Sequence, residues 1–300
     1  MSARAASIVL ALALVVPAAA LAQAGLKPRP ANQGALDAAP SRYATLDGMR
    51  VHYKSLGEGD SALVFVHGWT CDLTFWREQV DAFKGKTRVV LVDLPGHGLS
   101  DKPMVEYTQD LFARGVHAAL AAAGVKRATL VGHSMGTPVI RQFYRLYPNE
   151  TAALIAVDGG LSDPLPDPAA QRARIELLSG PAFEGEIARS IEGMFVPATS
   201  PEIRSFVTSR MTKAPKYVSV GAIKGLFTPG LWAEDPIRVP MMAIMAKGRN
   251  ETPERAAQFR RLSPAVEYHA MEGVGHFLMM EKPAAFNELV ARFLTAHRLL

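Results

Sequence analysis

Apolar residues follow two rhythms along this chain. "RYATL" (Arg42 to Leu46) and "MRVHYKSL" (Met49 to Leu56) are short strand-like runs with Asp47-Gly48 between them. Asp-Gly between two such runs predicts a hairpin. The pattern then changes. "ALVFV" (Ala62 to Val66), "RVVLV" (Arg88 to Val92), "ATLVG" (Ala128 to Gly132), "ALIAV" (Ala153 to Val157) and "MMAIMA" (Met241 to Ala246) are continuous apolar runs. Strands covered on both faces, as in parallel sheets, read this way. "VEYHA" (Val266 to Ala270) closes the series and alternates more. Helical segments fall between the strands. Asp72 is placed to cap a helix that buries Phe75, Trp76, Val80 and Phe83. Another helix runs to about Ala123 and stops at Gly124, a usual residue just past a helix end. A helix after "ATLVG" is expected to bury Val139, Phe143 and Leu146, and the last begins near Pro283, suited to a first turn. Alternating strands and helices predict an α/β fold: a doubly wound, mostly parallel sheet of eight strands.

One stretch breaks the alternation. Residues 162–238 contain no clear strand; they open on Pro164, Pro166 and Pro168 and continue as short helical pieces separated by Gly and Pro. This length suits a helical cap inserted after the sixth strand. It divides the α/β core into residues 42–161 and 239–300. Residues 25–41, rich in Pro and Ala and without periodicity, are expected to form a flexible lead-in. Residues 1–24 have the layout of an export signal: Arg4, an apolar run from Ile8 to Val16, Pro17, and small-x-small sites at Ala20-Leu21-Ala22 and Ala22-Gln23-Ala24. The apolar run is shorter than the roughly 20 residues that span a bilayer. The expectation is a periplasmic or secreted protein with no stable membrane span after cleavage.

Composition narrows the function. Apolar residues make up 49% and charged residues 20%, which allows a sizeable core. The formal charge of +5 is mild and its lysines and arginines are scattered, so nucleic acid is not an expected partner. Cys71 is the only cysteine, which excludes an internal disulfide. No H-E-x-x-H or cysteine pair marks a metal site, and no P-loop or G-x-G-x-x-G follows a strand. The reading calls for no metal and no cofactor, and for a small molecule as substrate. Oligomeric state is not legible.

The candidate chemistry centres on Gly132-His133-Ser134-Met135-Gly136, a G-x-S-x-G motif between a predicted strand and a predicted helix. A sharp turn there lifts the serine hydroxyl above the sheet edge, and the flanking glycines leave room for the chain to double back. Four blocks occur in order: "VFVHGW" (Val64 to Trp69), "LVDLPGHGLSDKP" (Leu91 to Pro103), "VGHSMG", and "GVGHFLMMEKP" (Gly273 to Pro283). On these blocks the chain, from Tyr43 onward, resembles the α/β-hydrolase family. The resemblance implies Ser134 as nucleophile and a downstream histidine as base. Of His269, His276 and His297, only His276 lies in the glycine-rich loop between the last strand and the last helix. The backbone N–H groups of Trp69 and Met135 are the implied oxyanion donors.

The acid is where the chain departs from the family pattern. Counting back from Pro253 puts Arg249 in the usual acid position, with Asn250 beside it, and neither is a carboxylate. Asp158, next after "ALIAV", is the favoured acid, since some family members carry it after the sixth strand; Glu251 is the alternative. Asp93 and Asp101 read as loop bracing, and His67 as a brace for the oxyanion loop. The expected activity is hydrolysis of a small or medium apolar carboxylic ester or lactone through an acyl-enzyme. The alternatives are a cofactor-free haloperoxidase or perhydrolase, a C–C bond hydrolase, and a non-catalytic ligand-binding member of the family.

Overall fold

A computed structural model describes residues 34–161, 167–248 and 251–300. The expected export signal and residues 25–33 of the lead-in lie outside them. Residues 34–41, expected as lead-in, hold a short helix α1 (Ala35–Ala38) with Leu36 buried. Lys54 Nζ fastens it, donating to the carbonyls of Leu36 and Ala39 at 2.8 Å each. This helix has almost no sequence signal because tertiary contacts, not propensity, hold four residues in a turn.

Eight strands form one sheet: β1 (Arg42–Leu46), β2 (Met49–Leu56), β3 (Ser61–Val66), β4 (Arg88–Val92), β5 (Arg127–His133), β6 (Thr151–Val157), β7 (Met241–Ala246) and β8 (Glu267–Met271). Their spatial order is β1-β2-β4-β3-β5-β6-β7-β8. β2 runs antiparallel to both neighbours, and the pairs from β4 to β8 are parallel. Asp47 and Gly48 turn the hairpin with φ of 50° and 81°, the left-handed pair that a two-residue turn of matching twist requires. Every residue of β6 and β7 is buried, as their unbroken apolar sequences predict.

Helices fill the connections between strands, including the long stretch between β6 and β7. Asp72 caps the 3₁₀ turn Leu73–Trp76, accepting from Thr74 N at 2.9 Å, and α2 (Arg77–Phe83) follows. Trp76 packs between Phe65 and Phe286, at ring separations of 4.9 and 6.2 Å. α3 (Gln109–Ala123) ends on Gly124 at φ 71°. In α4 (Gly136–Leu146), Val139, Ile140 and Phe143 are fully buried, but Leu146 is 39% exposed. Leu146 is the helix's last residue, where the chain turns off into the 3₁₀ turn Pro148–Glu150, so it gains no sheet contact. Between β6 and β7 stand α5 (Pro168–Ser179), α6 (Phe183–Glu192), α7 (Pro201–Met211) and α8 (Lys216–Gly225). Asp167 and Ser200 cap α5 and α7 with proline at the first position of each. Arg141 of α4, 1% exposed, donates to the carbonyls of Leu161 and Ala233 and to Asp235, tying both ends of this excursion to the core. The chain closes with α9 (Pro253–Leu262), α10 (Leu278–Glu281) and α11 (Pro283–Ala296). Among the described residues no helix is long and apolar enough to cross a membrane.

Candidate active site

The turn from β5 into α4 is a tight, strained bend. Ser134 sits at φ 53°, a left-handed conformation that costs a non-glycine residue about 1–2 kcal/mol. Ser134 N donates to Val157 O and Thr137 N to Ser134 O, both at 2.9 Å, so the strain is held from two sides. The neighbouring glycines leave no room for a side chain. A Cβ on Gly132 would lie 2.3 Å from Gly136 O, and one on Gly136 2.5 Å from Val66 O. Gly159, on the loop after β6, is as tight: its Cβ would meet Ser134 O at 2.5 Å.

Ser134 lines a cavity of about 370 Å³ together with Trp69, Met135, Met194, Met211, Ile223, Leu226, His276 and Phe277. Core loops supply the serine and histidine, and the helices after β6 supply much of the apolar wall. A larger hollow of about 810 Å³ lies between residues 104–108 and α8, but Ser134 and His276 do not line it. Size alone therefore does not mark the site; the chemistry does.

His276 arrives on the loop between β8 and α10. Its Nδ1 is 2.6 Å from Asp158 Oδ2, and both residues are buried. The other Asp158 oxygen accepts from Ala246 N at 2.9 Å. Burial pushes the Asp158 carboxyl up, but its hydrogen bond to His276, the His276 charge and the Ala246 N–H outweigh that and hold it below the ordinary aspartate range. An ionised carboxylate only accepts, so Nδ1 carries the imidazole proton and Nε2 keeps the free lone pair. Asp158 itself is at φ 43°, a second strained backbone position beside the first. The structure thus brings Asp158, not Glu251, to the histidine. Glu251 pairs through its backbone with Lys247, at the mouth of the loop after β7. Arg249 and Asn250 lie outside the described residues.

Two further histidines hold the frame. His67 Nδ1 bonds Gly68 O at 2.8 Å while its Nε2 accepts from Leu94 N at 3.0 Å. This fixes His67 as the neutral Nδ1–H tautomer, and burial lowers its pKa accordingly. It clamps the loop that carries Trp69. His133 Nε2 donates to the carbonyl of His276 at 2.8 Å, and burial pushes its pKa down to about 3. His133, visible in the sequence only as a position of the G-x-S-x-G motif, is a strut for the His276 loop. Among the described residues, the backbone N–H groups of Trp69 and Met135 have no acceptor in the chain. Trp69 spends its indole N–H on Ser219 O of α8, at 2.9 Å, which joins the loop to the helical excursion.

Glu281 was visible only as the glutamate of a motif. Its Oε2 accepts from Gly275 N at 2.9 Å and from Thr199 Oγ1 at 3.1 Å. His276 N donates to Met194 O, also at 2.9 Å. The excursion between α6 and α7 therefore touches the backbone of the histidine loop directly.

The remaining candidates are structural. Asp93 is buried and accepts from Leu73 N (2.7 Å), Leu99 N (2.9 Å) and His52 Nδ1 (2.7 Å), the loop bracing its sequence suggested. Asp101 pairs with Arg50 at the surface. His269 lies within β8 and His297 bonds Glu267 at 2.9 Å. Cys71 is buried, with its pKa pushed up by burial. Met241, Met242 and Met279 fill the core, whereas Met194 and Met211 line the cavity. Among the described residues no cluster of His, Cys, Asp and Glu could hold a metal ion.

This strand–serine–helix turn, with its aspartate after β6 and its histidine after β8, defines a class of enzyme fold. The chain belongs to the alpha/beta hydrolase family, whose model matches residues 63–289. Several of its named relatives are hydrolases. A 2-hydroxy-6-oxononadienedioate/2-hydroxy-6-oxononatrienedioate hydrolase of Paraburkholderia phymatum is 29% identical over 86% of this chain and 96% of the relative. The structure of Est816, an N-acyl homoserine lactone degrading enzyme, matches 84% of this chain and 100% of its own at 26% identity and a TM-score of 0.70. An enol-lactonase from Burkholderia xenovorans LB400 shares the fold at 20% identity, covering 85% of this chain and 100% of its own with a TM-score of 0.76.

Proposed function

We propose that the protein is a serine hydrolase acting on a small or medium apolar carboxylic ester or lactone. The observation that supports this most is that Ser134 shares an apolar-walled cavity with His276, whose Nδ1 is already engaged by a buried aspartate. In the proposed reaction His276 Nε2 takes the Ser134 proton as Oγ attacks the acyl carbon. The Trp69 and Met135 N–H groups receive the oxyanion; one such donor contributes about 3 kcal/mol to the transition state. The C–O bond breaks, the alcohol leaves with the proton from His276, and the acyl group stays on Ser134. Water, deprotonated by His276, attacks the acyl-enzyme, and the acid product leaves as Oγ regains its proton.

A fluorophosphonate probe followed by peptide mapping tests the nucleophile, and a panel of p-nitrophenyl esters of varied acyl length tests the substrate class. Labelling at Ser134 with turnover of short and medium esters supports the reading. Absence of both refutes it.

The 29%-identical relative favours a second reading, hydrolysis of a C–C bond beside a ketone by the same residues. Labelling of Ser134 without ester turnover, together with cleavage of a 2-hydroxy-6-oxo-dienoate, would select it. Export remains part of the proposal and rests on Arg4, the apolar run and the small-x-small sites; N-terminal sequencing of the exported protein should find a start near Gln23 or Gly25.

A further inference from the structure

The cavity beside Ser134 is apolar on most sides, yet one permanent cation stands on its wall. Arg174 of α5 lines it, next to Ser190 of α6. Arg174 Nη2 donates to Ser190 Oγ at 3.1 Å. A guanidinium offers five N–H donors, so one hydroxyl leaves most of its capacity unused. Among the described residues no carboxylate pairs with it. The glutamates of α6 are committed elsewhere: Glu186 pairs with Arg189 and Glu192 with Arg204, while Glu184 faces solvent. The partly buried guanidinium shares its cavity with Met194, Met211 and Leu226 and has no counter-ion among the described residues. A planar, bidentate anion would pair that charge and match the geometry of the fork.

Resting on the hydrolase reading, we propose that Arg174 and Ser190 form a carboxylate-binding subsite, and that the substrate is an ester or lactone whose acyl chain ends in a carboxylate. Ser134 and His276 occupy the core wall of the cavity and Arg174 the wall formed by α5. An acyl chain with an apolar middle would bridge them, its reacting carbonyl at one end and its anion at the other. Specificity follows from the fork rather than from the chain: a site built to pair a charge discriminates strongly against the analogue that lacks it.

The test compares mono-p-nitrophenyl adipate, which carries the terminal carboxylate, with p-nitrophenyl hexanoate, which does not. The wild-type protein should favour the adipate ester in kcat/KM by about 10-fold or more, the range a charge-assisted hydrogen bond gives. Arg174→Gln should lower kcat/KM for the adipate ester about 10- to 100-fold and leave the hexanoate ester within about threefold. Arg174→Lys should recover part of the preference, because a lysine supplies charge without the fork. Binding decides the matter separately from turnover. Calorimetry of the Ser134→Ala protein should find monomethyl adipate bound about 10-fold more tightly than methyl hexanoate, with the margin gone when Arg174→Gln is added. A wild-type preference for the neutral ester, or equal losses on both esters and no binding margin, would overturn the subsite. The hydrolase reading fails on a different result, the absence of both Ser134 labelling and ester turnover.

Discussion

Asp158→Asn isolates the acid's contribution with almost no change of shape. Asp158 accepts from Ala246 N at 2.9 Å and from His276 Nδ1 at 2.6 Å. An asparagine can keep the first with its amide oxygen. Its NH₂ then faces His276 Nδ1, which must give up its proton to accept, so the proton moves to Nε2. The base would then carry a proton where it needs a lone pair. That tautomer error costs on the order of 10⁴ in kcat, or about 5 kcal/mol of barrier. Folding should suffer far less, because the lost charge-assisted bond, of about 1.5–3 kcal/mol, is offset in part by no longer burying a charge. The pH dependence of stability gives a second readout. The Asp158 pKa is depressed in the folded chain, so its contribution is present above the unfolded aspartate pKa and is lost as pH falls through the folded value. Thermal melts should therefore lose part of their acid-side slope in Asp158→Asn. The assay is p-nitrophenyl ester turnover at pH 7–8 beside such melts. An Asp158→Asn enzyme within tenfold of wild type, or a more severe loss in Glu251→Gln, would refute the assignment.

Gly132→Ala should nearly abolish activity, since its Cβ would fall 2.3 Å from Gly136 O and force the serine turn open; overpacking of this kind costs about 1–3 kcal/mol in a melt, and turnover reports the shift of Ser134. Asp93→Ala leaves the Leu73 and Leu99 N–H groups and His52 without their acceptor, so denaturant unfolding should show a loss of about 3–5 kcal/mol. Arg141→Met leaves Leu161 O without its donor, while Ala233 O and Asp235 keep Arg145; a smaller loss of about 1–3 kcal/mol is expected, with limited proteolysis cutting first between β6 and β7.

Much of this was legible because local chemistry and tertiary need coincide. The unbroken apolar runs announced buried parallel strands, Asp47-Gly48 a left-handed turn, and Gly132-His133-Ser134-Met135-Gly136 a strained bend between strand and helix. Asp158 was legible as a carboxylate at a strand end, but only the register of β6 on β7 puts Ala246 N against one of its oxygens and orients the other toward His276. What escaped the sequence has no local pattern. His133 holds a carbonyl 143 positions away, and the bond from His276 N to Met194 O joins segments far apart along the chain. Arg141 looks like any helix arginine until its fork is seen to meet Leu161, Ala233 and Asp235. Arg174 lies in an ordinary charged helix, and only the cavity shows which way it serves. Leu146 failed in the opposite sense, as helical spacing marked it for burial and the end of α4 left it in solvent.

Rapid-quench mass spectrometry during turnover of a slowly hydrolysed p-nitrophenyl ester examines the proposed covalent step itself. The account predicts one transient acyl adduct per chain, on the peptide containing Ser134, formed with the burst of p-nitrophenol and absent in Ser134→Ala. Sustained turnover with no adduct, or an adduct on any other residue, would contradict it.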